Sequence, residues 1–317
     1  MDKIGGREMM RNILLIIILF LSFLFSQDFA GYAGSHYSNG SDARSIAMGN
    51  AFSAGTDLNY PAFFNPAGVA TAQNRKVLFS HQFMTLDRRQ SLISFTTPLP
   101  PVGGVSFGWV GAGVKNIDGR DVEGRHTDIF SASENGFLIS FGLAPFQQFT
   151  MGGTVKILQN QLPTGDKTIV GTGIGFDFGI LYQLRSDLNF AFVIKNLHSA
   201  YQWTNKQSAE LSKQYKDKFP AQLRAGIQYE IKSVILVADF GTFFIDNEYL
   251  DYDYRLGVEY IFDENYFIRS GLQNNKFACG IGYQLAQFDK FTSNFDYAFV
   301  LEPGSSLKHV ISYAINF

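Results

Sequence analysis

The sequence predicts an all-β protein, a transmembrane antiparallel up-and-down β-barrel of about 14 strands. Aromatic residues and glycine are abundant, with 32 Phe, 15 Tyr and 31 Gly among 317 residues, which is typical of sheets and membrane interfaces. Segments of alternating polarity recur from Lys76 to Phe317, and short and longer connections alternate between them. Beyond the N-terminal apolar run, no stretch has the roughly 18 apolar residues of a transmembrane helix, so membrane insertion of the mature chain requires a barrel.

The N-terminus has the pattern of an export signal. Arg7 and Arg11 precede an unbroken apolar run from Ile13 to Phe25, which is shorter than the roughly 20 residues of a spanning helix. We therefore interpret residues 1–26 as a signal peptide, with cleavage after Ser26. A retained N-terminal membrane anchor is the alternative interpretation.

Residues 27–75 are small, polar and irregular, and they contain two short motifs, ARSIAMGNAF at 43–52 and NPAGVA at 65–70. The two motifs resemble the N-terminal signature of the FadL superfamily, and most closely of its PorV/PorQ family. In that family the segment lies inside the barrel, so the resemblance implies that residues 27–75 form a luminal hatch. The hatch motif consists of Asn65, Pro66, Ala67 and Gly68. A disordered periplasmic tail is the alternative.

Residues 76–317 contain the alternating segments, which number fourteen. Val170–Gln183 and Tyr252–Phe262 show the clearest alternation. An even number of strands, short turns on one side and longer loops on the other are typical of bacterial barrels. We expect 115–135, 160–169 and 199–219 to be the polar outer loops. A soluble β-sandwich is the alternative, but it does not require this alternation of loop lengths.

The final strand carries a candidate assembly signal. Tyr313, Ile315 and Phe317 alternate at the end of the sequence, similar to the C-terminal sorting signal of bacterial outer-membrane barrels. The resemblance implies recognition by the barrel-assembly machinery. It also implies a location in the bacterial cell outer membrane, where lipid surrounds the wall.

Charged side chains share one strand parity with many glycines, opposite the aromatic parity. An Arg or Lys that faces lipid at the bilayer midplane costs about 2–4 kcal/mol, so the charged parity is predicted to line the lumen. The candidate lumen residues are Asp177, Arg224, Arg255, Glu259 and Arg269. Two roles are open for them: ion pairs that tie the wall to the hatch, and a polar path or docking surface.

Several function classes are disfavoured by composition. The net charge of −2 gives no indication of a nucleic-acid partner. The single Cys279 forms neither an internal disulfide nor a CxxC motif, and the five histidines are scattered. We therefore expect no metal, no cofactor and no enzymatic activity.

Two functions follow from the family resemblance. The first is a component of protein secretion of the type IX kind, or of cell-surface attachment, with secreted proteins or secretion-system subunits as partners. The second is a passive channel like FadL for long-chain fatty acids or other hydrophobic small molecules. The predicted outer loops are moderate in length and not conspicuously apolar, which favours the secretion role at this point.

Overall fold

The computed structural model describes residues 31–164, 167–204, 214–287, 291–302 and 307–317. Its first part contains three short 3-10 turns, Ser35–Asn39, Pro61–Phe63 and Pro66–Thr71, and one short α-helix, α1, Ala43–Ala47. The predicted signal peptide lies outside the described residues. Within them, no helix reaches the length and hydropathy that a bilayer crossing requires.

Sixteen strands in one antiparallel sheet follow the N-terminal segment. They are β1 Lys76–Phe83, β2 Arg88–Leu99, β3 Gly103–Arg120, β4 His126–Phe146, β5 Phe149–Thr164, β6 Lys167–Arg185, β7 Leu188–Leu197, β8 Ala200–Thr204, β9 Gln214–Lys218, β10 Ala221–Ile231, β11 Val234–Ile245, β12 Glu248–Phe262, β13 Tyr266–Gln273, β14 Lys276–Gln287, β15 Phe291–Leu301 and β16 Leu307–Asn316.

Fourteen of these strands close into a barrel. β1 pairs with both β2 and β16. β7 pairs directly with β10, whereas the β8–β9 hairpin, which lies between them in sequence, pairs with β6. The backbones of Arg75 and Phe317 exchange two hydrogen bonds at the seam, at 2.9 and 3.1 Å. The predicted fold, a closed antiparallel barrel of about 14 strands with a hatch in its lumen, is confirmed.

The strand faces follow the predicted parity. On β6, Ile174 and Phe178 are more than half exposed on the outside of the wall, whereas Asp177 between them is 1% exposed. An apolar outer face and an interior that is polar at many positions are typical of barrels that span a lipid bilayer. The bilayer thus explains the exposed aromatic residues, which a water-soluble protein of this size would bury.

The structure differs from the sequence prediction at the outer end. The expected loop 115–135 is largely a continuation of β3 and β4, with a register shift between Val114 and Ile117. The alternating pattern stops there because both faces of this hairpin meet water, although the hydrogen-bonded ladder continues. The expected solvated loop 199–219 contains the β8–β9 hairpin, in which Tyr201 and Trp203 are buried.

Candidate functional site

The hatch fills the lumen with an apolar core. Its Phe52, Tyr60, Phe63 and Phe64 are at most 3% exposed. They form one cluster with four inward-facing side chains, one from each of strands β1 to β4, namely Leu78, Leu92, Val110 and Leu138, and with Val237 of β11 and Ala314 of β16. The hydrophobic effect therefore holds the hatch mainly against the β1 to β4 part of the wall.

The helix α1 begins with a capping box. The Asp42 carboxylate accepts a hydrogen bond from the Ser45 backbone N–H, and the Asp42 backbone N–H donates to the Ser45 hydroxyl. This arrangement satisfies two backbone donors at the start of the helix. The Ala43 backbone N–H donates to the Ser312 hydroxyl on β16 at 2.7 Å, so the helix start is attached to the closing strand.

The predicted hatch motif forms a turn in which Asn65 makes three hydrogen bonds. Its side-chain oxygen accepts from the Ala67 N–H at 2.9 Å, and its side-chain nitrogen donates to the carbonyls of Ser53 at 2.8 Å and Ile180 at 3.1 Å. Pro66 occupies the first position of the following turn, where its missing N–H costs nothing. Asn65 thus joins the turn to an earlier part of the hatch and to β6.

Replacing Asn65 with alanine is expected to loosen the hatch. The substitution removes the cap and leaves the two carbonyls without this donor, at a cost of about 1–3 kcal/mol. Limited proteolysis of the purified barrel, followed by mass spectrometry of the hatch fragments, measures the effect. Asn116→Ala is the control, because its side chain bonds Asp87 in an exposed turn. Equal protection of both variants would contradict the assigned role of Asn65.

Glycines of the wall allow the hatch backbone to pack closely against the strands. A Cβ atom on Gly152 would lie 2.4 Å from the Pro66 carbonyl oxygen, and one on Gly271 would lie 2.2 Å from the Gly49 nitrogen. Similar approaches to hatch backbone atoms occur on both sides of the lumen, at Gly104, Gly142 and Gly257. The sequence places these glycines on the luminal parity. It does not show that the hatch packs against them, because that requires knowledge of where the hatch lies.

A buried ion-pair network ties α1 to the wall. Glu259 accepts hydrogen bonds from Arg44 of the hatch, at 2.7 and 2.9 Å, and from Arg269 of β13, which also pairs with Asp296 at 2.6 Å. Burial by itself would lower the pKa of the Arg44 guanidinium, but the adjacent Glu259 carboxylate raises it above its ordinary value. Arg44 is therefore a permanent cation in this network.

A second network lies on β10 to β12. Asp253 accepts from Arg224 at 2.7 Å and from Arg255 at 2.9 Å. Arg255 also donates to the Asn50 carbonyl oxygen of the hatch at 3.1 Å. On β11, the Asp239 carboxylate accepts from the Ser53 hydroxyl at 2.6 Å and from the Ser53 backbone N–H at 3.1 Å.

A third network connects β5, β6 and β7. Lys156 pairs with Asp177 at 2.6 Å, and both are about 1% exposed. Asp177 also accepts from the Asn196 backbone N–H at 2.7 Å, where the chain turns inward with a positive φ of 62°. The Lys156 ammonium lies 5.5 Å from the ring centroid of Tyr37 in the hatch, within the range of a cation–π contact.

The five predicted lumen residues thus belong to three separate networks. Asp177, Arg224, Arg255, Glu259 and Arg269 are all 5% exposed or less. This placement favours the interpretation of the charges as ties between wall and hatch. A docking surface for a protein would require accessible side chains, which these are not.

The outer mouth contains a cavity of about 260 Å³ between the Ser35–Asn39 turn and the outer ends of strands β1 to β5 and β14. Its lining includes Met84, Ala112 and Val114 beside the charged Arg88, Arg89, Glu134, Lys276 and Glu302. We call this space the vestibule. The Ser35–Asn39 turn also carries Tyr37, which packs against the apolar core of the hatch.

The β8–β9 hairpin covers the other part of the mouth. Tyr201 and Trp203 pack with Leu158 and Phe219 in an apolar cluster. The Tyr201 hydroxyl donates to Glu134 at 3.2 Å, and His36 of the hatch lies 2.7 Å from the same carboxylate. The hairpin, the wall and the hatch therefore meet at Glu134.

The candidate assembly signal lies on the outer face of the seam. Tyr313 pairs opposite Phe79 and Ile315 opposite Val77 on β1, and the Phe317 ring lies near the Phe291 ring in a tilted arrangement with centroids 6.2 Å apart. Recognition of these residues by the barrel-assembly machinery stays a prediction. The part of the chain that the structure describes holds no group of three or more His, Cys, Asp or Glu side chains arranged to bind a metal ion.

A closed fourteen-strand barrel with an apolar exterior and an N-terminal hatch defines a class of protein, the hatch-plugged transmembrane barrel of the bacterial outer membrane. The predicted localisation agrees with this fold. No protein-family model matches the sequence, and no curated protein matches it.

Solved structures show the particular type of barrel. The chain is similar to the CymD monoaromatic hydrocarbon channel, with a TM-score of 0.65 and 14% identity over 88% of this chain and 98% of that one. It is also similar to the toluene transporter TbuX of Ralstonia pickettii, with a TM-score of 0.63 and 14% identity over 88% of this chain and 99% of that one. For a FadL homologue of Pseudomonas aeruginosa the TM-score is 0.62 and the identity 10%, over 87% of this chain and 98% of that one. The fold is therefore that of the FadL type, and the finer resemblance to PorV/PorQ rests on the sequence motifs alone.

Proposed function

We propose that this protein is a passive outer-membrane channel for hydrophobic small molecules. Structures of the same fold include a monoaromatic hydrocarbon channel and a toluene transporter. Fold alone does not determine function, so the proposal depends on the lumen of this chain.

The observation that most supports this proposal is that charged side chains are unevenly distributed around the lumen. Along β1 to β4, the middle layer consists of Leu78, Leu92, Val110 and Leu138, and the neighbouring inward positions are mostly Ser, Thr, Gln and Gly, with the charged Lys76 and Glu134 near the two ends. Along β10 to β15, the inward positions include seven buried charges: Arg224, Asp239, Asp253, Arg255, Glu259, Arg269 and Asp296. A hydrophobic solute crossing on the first side avoids the desolvation cost of passing charged groups.

The vestibule leads to this apolar side, and hatch aromatic residues close it. Tyr60 is held there by packing, whereas Arg44 and Asn50 bond the charged side and the Phe63 carbonyl accepts from Lys195 of β7 at 2.7 Å. Apolar packing is not directional, so the aromatic part of the hatch can shift along the wall without leaving a polar group unpaired, whereas displacing the charged side breaks buried ion pairs. Opening then moves the aromatic part of the hatch while the ion pairs keep the rest in place.

Uptake by whole cells tests the proposal. A strain without the gene is expected to take up radiolabelled toluene and oleate more slowly, and the wild-type gene is expected to restore uptake. Leu92→Asn should restore it about tenfold less well, because a polar amide in the apolar layer costs a passing solute about 1–3 kcal/mol.

Ser94→Ala provides the matched control. Ser94 is also buried on β2, and its hydroxyl has no hydrogen-bond partner among the described residues, so its loss is expected to leave uptake unchanged. Both variants must show the folded barrel band on unheated gels. Unchanged uptake in the deletion strain would refute the channel proposal.

A role in protein secretion is the second candidate. The motifs at 43–52 and 65–70, which resemble the PorV/PorQ signature, favour it. On this proposal, secreted proteins or secretion-system subunits bind the outer loops, since the luminal charges are buried. Extraction of the tagged protein in mild detergent and mass spectrometry of co-purifying proteins tests it. Recovery of a set of exported proteins that share one C-terminal domain would move the assignment to secretion.

A further inference from the structure

The lipid-facing side of the wall carries few groups that can be positively charged, and they lie together. Among the described strand residues that face lipid below the outer β3–β4 hairpin, only His81 of β1, Arg89 of β2 and His309 of β16 have an imidazole or a guanidinium, and none has a carboxylate or an ammonium group. In the strand register, Phe83 lies opposite Arg89 on one side and opposite His309 on the other, and His81 lies two residues nearer the periplasm. We call His81, Arg89 and His309 the seam patch.

Two limits place the seam patch at the level of the outer lipid headgroups. β1 has 8 residues, whereas a tilted strand needs about 9–11 to cross the hydrocarbon core, so its last residue, Phe83, does not project beyond the headgroups. An arginine that faces the hydrocarbon is costly, and the cost falls toward the interface. Arg89, opposite Phe83, therefore does not lie far below the headgroups. The exposed Phe79 and Ile93, nearer the periplasm, face the acyl chains.

The guanidinium of Arg89 is exposed and has no hydrogen-bond or ion-pair partner in the described part of the chain. Its neighbour Arg88 donates from Nε to the Thr85 carbonyl at 3.1 Å. In the outer hairpin, Arg120 and Arg125 are paired with aspartates at 2.6 and 2.9 Å. These arginines use their donors within the protein, whereas the donors of Arg89 are left for a group outside it.

The surface beside Arg89 is open. Arg89 lies opposite Gly113 of β3, which in turn lies opposite Ser133 of β4. A Cβ atom on Gly113 would meet no side chain closer than 3.8 Å, so this part of the outer face is not covered. Arg89 also borders the vestibule, which places it at the rim of the barrel.

The two histidines are oriented by hydroxyl groups of the wall. His81 Nδ1 lies 2.8 Å from the Ser91 hydroxyl, and His309 Nδ1 lies 2.7 Å from the Tyr297 hydroxyl. The His81 ring also meets the Phe83 ring edge to face, with centroids 4.4 Å apart. A hydroxyl that donates to Nδ1 leaves the ring proton on Nε2. Each imidazole then presents one N–H donor that the described residues do not use.

We propose that the seam patch binds the phosphate-bearing headgroup of an anionic lipid in the outer leaflet. Arg89 supplies the positive charge and a planar fork of donors that matches phosphate, and the imidazoles supply further donors. No described carboxylate faces lipid on these strands, so a lipid with a net negative charge is favoured over a zwitterionic one. The patch spans β16, β1 and β2, so a bound lipid connects the first and last strands of the barrel. This site does not depend on the proposed channel function.

Trp109 reports on lipid at this part of the wall. It lies on the lipid face of β3, opposite Ile93, where an acyl chain below the patch would pass. Its indole lies 2.4 Å from the position of a Cβ atom added to Gly111, and its N–H donates to Asn135 at 3.1 Å. The other tryptophan, Trp203, is 9% exposed in the β8–β9 hairpin and adds a constant background.

Quenching of Trp109 fluorescence by brominated lipids tests the proposal with the full-length protein in bilayers. The bilayers mix phosphatidylglycerol with phosphatidylcholine, and the bromine is placed on the acyl chains of one lipid or the other. Phosphatidylglycerol is expected to bind beside Trp109 about fivefold more tightly than phosphatidylcholine, the gain typical of one arginine at an anionic surface. Arg89→Gln should lower this ratio to about one, and Arg89→Lys should retain most of it because the charge remains.

Arg88→Gln is the matched control, because Arg88 carries the same charge one residue away but lies on the luminal parity of β2. This variant should keep the wild-type ratio. Arg89 is exposed, so its substitution should leave the folded band on unheated gels unchanged. A wild-type ratio near one would overturn the site. An unchanged ratio in Arg89→Gln would locate the lipid preference elsewhere on the wall, and an equal loss in Arg88→Gln would indicate a general effect of rim charge; either result would also overturn it.

Discussion

Replacing Glu259 with alanine is expected to destabilise the hatch-plugged barrel by about 3–5 kcal/mol, the usual effect of removing one partner from a buried ion pair. Glu259 is fully buried and accepts hydrogen bonds from Arg44 and Arg269. Its loss leaves the Arg44 cation of the hatch in the lumen without a carboxylate partner. Urea unfolding in detergent micelles, followed by tryptophan fluorescence, measures the change.

Trypsin cleavage after Arg44 gives an independent measurement of hatch release. The Arg44 side chain is 15% exposed in the intact network, so the wild type should resist cleavage and Glu259→Ala should be cut faster. Asp118→Ala is the control, because Asp118 pairs with Arg120 and His126 in the exposed outer hairpin. Exposed pairs contribute little, so this variant should behave as the wild type. Resistance of Glu259→Ala to trypsin would show that the hatch is held without this network.

Replacing Gly152 with alanine is expected to destabilise the protein by about 1–3 kcal/mol, as overpacking of a well-packed interior does. The added Cβ would lie 2.4 to 2.7 Å from three backbone atoms of Pro66 and Ala67. Backbone atoms of the hatch turn cannot rotate away as a side chain can. The same urea unfolding experiment measures the effect.

The adjacent glycine is a matched control. A Cβ on Gly153, on the opposite face of β5, meets its nearest neighbour, the Phe178 ring, at 3.4 Å. This is an ordinary contact, and alanine in a strand interior is about 0.5–1 kcal/mol more favourable than glycine. Gly153→Ala should therefore be at least as stable as the wild type. Equal stability of the two variants would contradict the inference that close packing of the hatch backbone requires glycine at position 152.

The barrel could be predicted because a wall strand has two environments, and lipid and lumen impose a period of two on its side chains. Val170–Gln183 shows this period clearly, and the structure places Ile174 outside and Asp177 inside as expected. The prediction of strand positions failed where both faces of a strand meet the same environment. The outer parts of β3 and β4 meet water on both faces, so their sequence has no period although their ladder continues.

The preference between functions also changed with the structure. The sequence motifs favoured secretion, and so did outer loops that are moderate in length and not conspicuously apolar. The structure divides the lumen into a charged side and an apolar side, and Leu78, Leu92, Val110 and Leu138 come from four different strands. Each is one apolar residue among small and polar neighbours, so the layer is visible only when the strands are aligned in register.

The sequence by itself determined the strand parity, the even strand number and the position of the hatch motif, because each of these depends on residues close together in the chain. The partners of the luminal groups were decided by the tertiary structure. Arg44 and Glu259 are 215 residues apart, and Pro66 meets Gly152 across the lumen. Such pairs depend on strand register and on the path of the hatch through a closed barrel, which local sequence patterns do not contain.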